Sequence, residues 1–184
     1  QKLAILRHDM RHHLNIILTQ LQNDHPEKAE EYIREISSAY DDTVIARYSG
    51  NEMLNSVISI YHSRFTDKGF PLKCNISTGK KLPCSDLAIC TILSNALENS
   101  MHALEQMDIS SKWAKLTVSQ KKNHLLLQVE NPVEKIPKFA DGIPVSNRDG
   151  HGIGVKSIIY YVDQLNGQCQ FSVSDHCFIL KIIV

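Results

Sequence analysis

Four titratable groups, His8, Asp9, His12 and His13, stand within six residues near the start of the chain. Leu3, Leu6, Met10, Leu14, Ile17 and Leu21 recur there at three- and four-residue steps, the spacing of a single helical stripe. At roughly 100° per residue, His8 and His12 fall opposite that stripe and His13 at its edge. A solvent-facing imidazole beside a carboxylate suits a nucleophile. Asp9 can hydrogen-bond one ring nitrogen, fix the tautomer and leave the other nitrogen basic and open. The same residues also fit a solvated polar face, or an i,i+4 His8 and His12 pair on a metal, for which no third ligand is near in sequence.

Two further segments could handle phosphate. In Leu93-Ser94-Asn95-Ala96-Leu97-Glu98-Asn99-Ser100, the two asparagines lie one helical turn apart, so both amides project to one side. They could serve as oxygen ligands to a hydrated Mg²⁺ that carries phosphates, or simply wet a helix face. In Asp149-Gly150-His151-Gly152-Ile153-Gly154-Val155-Lys156, glycines precede a helix. Glycine lets backbone approach phosphate oxygens, and the amides and dipole of a helix start favour an anion. The segment lacks the strand before it and the third glycine of a dinucleotide site, and glycine also serves as an ordinary turn residue.

The elements that must position these groups follow from periodicity. Residues 2–22 read as an amphipathic helix. Asn23, Asp24 and Pro26 break it, and Asp24 is placed to cap a second helix from about His25 to Tyr48. A hairpin of this size buries too little alone, so pairing of two hairpins into a four-helix bundle, hence a homodimer, is expected. Ser49-Gly50 interrupts the pattern as a candidate hinge, and a helix over 51–65 follows. Strands are expected at 72–76, 116–118 and 125–129, a helix over 85–107 and another over 153–165, and a closing hairpin of 169–173 with 178–184. Residues 132–149, with three prolines and few periodic apolar groups, read as a long loop acting as a lid. No internal repeat or low-complexity tract is present.

The chain has 184 residues, 42% of them hydrophobic, and 20 Lys+Arg against 20 Asp+Glu. This is a globular composition, and zero net charge removes the electrostatic reason to expect nucleic acid. Five cysteines without a C-x-x-C pair suggest neither a disulfide framework nor a zinc ribbon, and so a reducing, intracellular setting. No apolar run approaches the roughly 20 residues needed to span a bilayer. The chain opens inside a helical pattern, as an excised fragment would, so any membrane segment is expected upstream.

An acceptor-histidine hairpin, an Asn-x-x-x-Asn helix, a strand ending Val129-Glu130-Asn131 and a loop ending Gly150-His151-Gly152-Ile153-Gly154 occur in that order. Together they resemble the sensor histidine kinases and the ATP-binding (GHKL) fold these share with the gyrase, heat-shock-90 and mismatch-repair ATPases. Leu6-Arg7-His8-Asp9-Met10-Arg11-His12 looks most like the subgroup of peptide-pheromone receptor kinases, whose acceptor motif is R-H-D-x-x-N. The resemblance implies an α+β chain. A dimerisation and phosphotransfer hairpin would span 1–48, and an α/β-sandwich ATP-binding domain with a mixed sheet would span 49–184. It implies His8 as phosphoacceptor, Asp9 as its acidic neighbour, Asn95, Glu98 and Asn99 as the N box with Asn99 on Mg²⁺, and Gly150, His151, Gly152, Ile153 and Gly154 along the triphosphate of ATP. Lys135, Lys138 and Arg148 are candidate phosphate contacts in the lid. The implied partners are a second copy, a response-regulator receiver domain and an upstream membrane sensor, which would make this its cytoplasmic portion. His12 replaces the motif's asparagine, Ser100 its usual alanine, and Asn131-Pro132-Val133 stands where the adenine-reading aspartate and glycine are expected. Asn131 can still accept from the adenine amine, without charge. The competing reading is a catalytically silent dimeric interaction module on the same fold.

Overall fold

Asn51 and Ser85 each end an extended segment and start a helix. The Asn51 side chain accepts from the Leu54 amide, opening α3 (Glu52–Asp67), and Ser85 accepts from the Ala88 amide, opening α4 (Asp86–Glu105). In this computed structural model the described residues are 13–37, 48–108, 111–145 and 152–184. The chain divides into two units, Gln1–Asp42 and Thr43–Val184.

In the first unit residues 13–22 are helical (α1) and α2 spans Pro26–Ser37. Asp24 does not cap α2 as expected. It sits at a φ of 58° in the connecting turn, and Pro26, which lacks an amide hydrogen, takes the first helical position. His13 Nδ1 lies 3.0 Å from the Tyr32 hydroxyl, and Ala29 is buried. The expected stripe shifts slightly: Leu14, Leu18 and Leu21 are 55%, 53% and 50% exposed, whereas Ile17 is half-buried.

The second unit is a mixed sheet with helices packed on it. The strands are β1 (Leu72–Ser77), β2 (Ala114–Lys121), β3 (His124–Pro132), β6 (Gln168–Ser174) and β7 (Cys177–Ile183), in the order β1-β2-β3-β7-β6. β1 and β2 run parallel, because α4 carries the chain across between them; the remaining pairs are antiparallel. Strict alternation on β2 and β3 puts Leu116, Val118, Leu127 and Val129 into the core and Thr117 and Gln128 on the other face. α4 packs against both α3 and α5 (Ile153–Gln164) and supplies the fully buried Ile92, Leu93 and Leu97.

The lid reading needs correction. Residues 132–149 are not all loop: β4 (Lys138–Ala140) and β5 (Ile143–Val145) form a two-stranded hairpin. Asp141 and Gly142 at its tip have φ values of 51° and 77°, the left-handed pair that a two-residue hairpin turn demands. Ala140-Asp141-Gly142-Ile143 was the signal for it, masked by the surrounding prolines. All five cysteines are free thiols, and burial pushes the Cys74 thiol up to about 11.

Candidate functional site

The helical step decides which α4 side chains meet which neighbours. Asn95 and Asn99, one turn apart, face α5. Glu98, about 100° away, faces α3. Asn95 Nδ2 donates to the Thr91 carbonyl at 2.8 Å and reaches Ser157 Oγ on α5 at 3.3 Å. Gly154 in the first turn of α5 lies so close that a Cβ there would stand 3.0 Å from Asn99 Oδ1 and 3.2 Å from Asn95 Oδ1. The absence of a side chain at 154 is what lets the two amides sit against the start of α5.

That helix begins on Gly152, at a φ of 108° that a side chain would strain, and no side chain caps it. Its first-turn amides therefore lack intrahelical acceptors and present the positive end of the helix dipole. Beside them a cleft of about 540 Å³ opens between α4, the sheet and the segment that carries the β4–β5 hairpin. Asn99, Ser100, Asn131, Lys135, Val155 and Phe178 are among its lining residues. The wall mixes an apolar part, with Val129, Val155 and Leu180, and polar and charged side chains. Asn99 lines the cleft, and its amide oxygen beside open helix amides fits a triphosphate with its hydrated Mg²⁺, whereas Asn95 stands behind it and does not line the cleft.

At the cleft wall Asn131 is 1% and Ser100 4% exposed. Ser100 Oγ donates to Asn131 Oδ1 at 2.9 Å, and Asn131 Nδ2 donates to the Pro132 carbonyl at 2.9 Å. Sequence reasoning names Asn131 as a site residue and Ser100 only as a replacement for the usual alanine. Only the tertiary contact shows that the two departures from the motif meet.

Glu98, expected with the nucleotide, is placed elsewhere and does not line the cleft. Arg64 Nη1 and Nη2 donate to its carboxylate at 2.6 and 3.1 Å, the Tyr61 hydroxyl donates at 3.1 Å, and His102 Nε2 lies 3.3 Å away. Burial pulls the Glu98 pKa upward, but the Arg64 hydrogen bonds and charge outweigh it and hold the carboxyl below its usual range. Burial and the Glu98 charge push Tyr61 up to about 12, and hydrogen bonding to Glu98 raises Arg64. Lys135 lines the cleft, whereas Lys138 is exposed on β4. His8, Asp9, Arg148, Gly150 and His151 lie outside the described residues.

The profile of the GHKL domain matches residues 85–184, more than half of the chain. The chain belongs to the GHKL family. Domains of this kind bind ATP, usually with Mg²⁺. The matched stretch starts at the Ser85 cap of α4 and holds both asparagines, Asn131 and the glycines. No curated protein sequence matches this GHKL chain significantly.

Among solved structures it is similar to the catalytic domain of histidine kinase ThkA, at TM-score 0.60 and 14% identity over 72% of this chain and 91% of that one. It is also similar to the blue-light activated histidine kinase EL346 of Erythrobacter litoralis, at TM-score 0.57 and 16% identity over 100% of this chain and 58% of that one. A third is the Acinetobacter baumannii histidine kinase AdeS, at TM-score 0.51 and 13% identity over 96% of each. At these identities the likeness is one of fold. No helix among the described residues of the GHKL chain is long and apolar enough to cross a membrane.

Proposed function

We propose that the chain is the kinase core of a two-component sensor, which binds ATP with Mg²⁺ in the α4–α5 cleft and transfers the γ-phosphoryl group to His8. The observation that carries the reading is the meeting of Asn95, Asn99 and Gly154 at the open start of α5. Asn99 would hold the Mg²⁺ and the α5 amides would cradle the phosphates, neutralising charge that builds as the γ-phosphorus is attacked in line. His8, with Asp9 holding its other ring nitrogen, is the nucleophile: its free nitrogen would bond to the γ-phosphorus as the bond to the β–γ bridging oxygen breaks and ADP leaves. The phosphoryl group then passes to an aspartate of a response-regulator receiver domain.

The proposed homodimer rests on α1. Leu14, Leu18 and Leu21 follow an i, i+4, i+7 stripe and lie about half exposed in a single chain, which a four-helix bundle of two hairpins would cover. Ser49-Gly50, expected as a hinge, is instead tied down: Ser49 is buried, its amide donates to Asn55 Oδ1 and its hydroxyl pairs with Thr78. A membrane sensor upstream would place this core in the cytoplasm, and the peptide-pheromone subgroup follows from the Arg7-His8-Asp9 motif alone.

The test is incubation with γ-labelled ATP and Mg²⁺, comparing the parent with His8→Gln and Asn99→Asp for acid-labile, base-stable label. Label in the parent that disappears in both variants is expected. Absence of label together with absence of ATP binding overturns the reading in favour of a silent interaction module.

A further inference from the structure

Six non-glycine residues among those described have a positive φ, and five of them are Asp, Asn or His, the side chains that tolerate it best. The sixth is Lys122, at 52° on the tip of the β2–β3 hairpin, where glycine or asparagine is the unstrained choice. A strained lysine at that tip is a charge held in place at a conformational cost. Three more lysines join it. Parallel pairing of Ser77 with Ser119 brings the loop after β1 beside the hairpin, and Gln120 ties the two together, accepting from the Gly79 amide at 3.1 Å and donating to the Lys81 carbonyl at 3.4 Å. Lys80, Lys81, Lys121 and Lys122 therefore share one corner, all exposed. Among the described residues none of the four has an ion-pair partner, whereas Lys115 has Glu130 and Lys68 has Glu105. Asn51 Nδ2 donates to both the Lys80 carbonyl and Asp86, which joins the corner to the starts of α3 and α4. There Leu87 is 65% and Met53 47% exposed. Glu52 and Asp86 are the acids at those helix starts, leaving four cations against two anions.

We infer that this corner is a membrane-contact surface, which sets its lysines on the headgroups of an anionic lipid bilayer with Leu87 and Met53 at the headgroup boundary. The side-chain types select that partner. All four cations are lysines, compact charges on flexible stems that suit a diffuse field of phosphates, with no arginine fork of the kind that reads a carboxylate or a base edge. Exposed apolar side chains beside the lysines supply the second attraction that stable contact with a bilayer needs. A nucleic acid would gain nothing from Leu87 and Met53. β3 runs from His124 at this corner to Asn131 at the cleft, a span of about 23 Å at roughly 3.3 Å per residue, so contact here leaves the nucleotide cleft free. The inference stands whether or not the cleft turns over ATP.

The experiment sediments the full 184-residue chain with vesicles of phosphatidylcholine alone and with vesicles in which phosphatidylglycerol replaces part of it. Sedimentation with the anionic vesicles only is expected, weakening as salt rises. Lys121→Gln combined with Lys122→Asn, the second a residue at ease with positive φ, is expected to lower the partition coefficient about 25-fold, at about fivefold per lysine. Leu87→Ser is expected to lower it about fivefold by removing an apolar contact. All three positions are exposed, so the variants are expected to melt with the parent, which separates loss of contact from loss of fold. Sedimentation with neither vesicle, equal sedimentation with both, or a partition unchanged in the double variant overturns the inference. Release by soluble glycerol phosphate at the same phosphate concentration overturns it in favour of a free-phosphate site. Tighter binding of a duplex oligonucleotide at equal phosphate overturns it in favour of a nucleic-acid surface.

Discussion

Gly154 backs directly onto Asn99: a methyl group at residue 154 would stand 3.0 Å from Asn99 Oδ1 and 3.3 Å from Asn99 Nδ2. The backbone there is ordinary helix, so alanine is tolerated conformationally and gains propensity of up to about 1 kcal/mol. What must yield is the pair of amides. Gly154→Ala is therefore expected to leave the melting temperature within a few degrees of the parent while lowering Mg²⁺–ADP affinity about tenfold, as seen by calorimetry. A large fall in melting temperature with unchanged affinity would show that the asparagines relax without consequence for the ligand.

Glu98 ties α4 to α3 through Arg64 and Tyr61. The pair is partly exposed, at 37% and 30%, so screening limits its worth, and Glu98→Gln is expected to cost about 1 kcal/mol at pH 7. The Glu98 pKa is lowered on folding. Its contribution is thus complete above the ordinary glutamate range and is lost as pH falls through that range and then through the lowered folded value. Urea denaturation of parent and Glu98→Gln from neutral to acid pH checks this. The gap between the two midpoints should narrow on the acid side only.

Asn55 holds the chain at Tyr48 and Ser49, just before α3. Its buried Oδ1 accepts from the amides of Tyr48 at 2.6 Å and Ser49 at 3.1 Å. Asn55→Ala strands both donors and is expected to cost about 2 kcal/mol. It should also speed protease cleavage around residues 48–50, read by limited proteolysis at neutral pH. Unchanged cleavage would mean that the Ser49 contacts with Thr78 and Asn51 suffice to hold the segment.

Gly167 leaves no room for a side chain. A Cβ there would meet the Ile183 carbonyl oxygen and Val184 Cγ1, each at 2.5 Å, and a backbone atom cannot step aside as a flexible side chain would. Gly167→Ala is expected to destabilise the second unit by about 3 kcal/mol, through displacement of the end of β7 from the turn after α5. A thermal melt of the variant, lowered by several degrees or more, is the check.

The element pattern was legible because each element carries its own local code. Helical spacing and the Ser49-Gly50 break bounded α3 and α4 to within two residues, and the structure added the caps at Asn51 and Ser85. The apolar run Leu125–Val129 marked a strand, and the structure decided that Leu125, Leu127 and Val129 face the core. The one hairpin missed, β4–β5, was coded by Asp141-Gly142, whose left-handed pair of residues is a turn signal as strong as any in the chain. The one-turn spacing of the α4 asparagines and the glycines before α5 were likewise readable, since spacing and backbone access are properties of the chain itself.

What the chain alone could not decide was which partners those residues meet. The sequence by itself determined that Asn95 and Asn99 share a helix face, that α5 starts on glycine and that Asn131 ends a strand. Helix phase directs Glu98 away from its neighbour Asn99, but that Arg64 and Tyr61 wait for it on α3, 34 and 37 residues earlier, depends on how α3 packs. The bond from Ser100 to Asn131 spans 31 residues and joins two departures from the motif that look unrelated in sequence. Tertiary structure alone decided these pairings, because local periodicity specifies the direction in which a side chain leaves its own element and carries no information about which distant element is packed there.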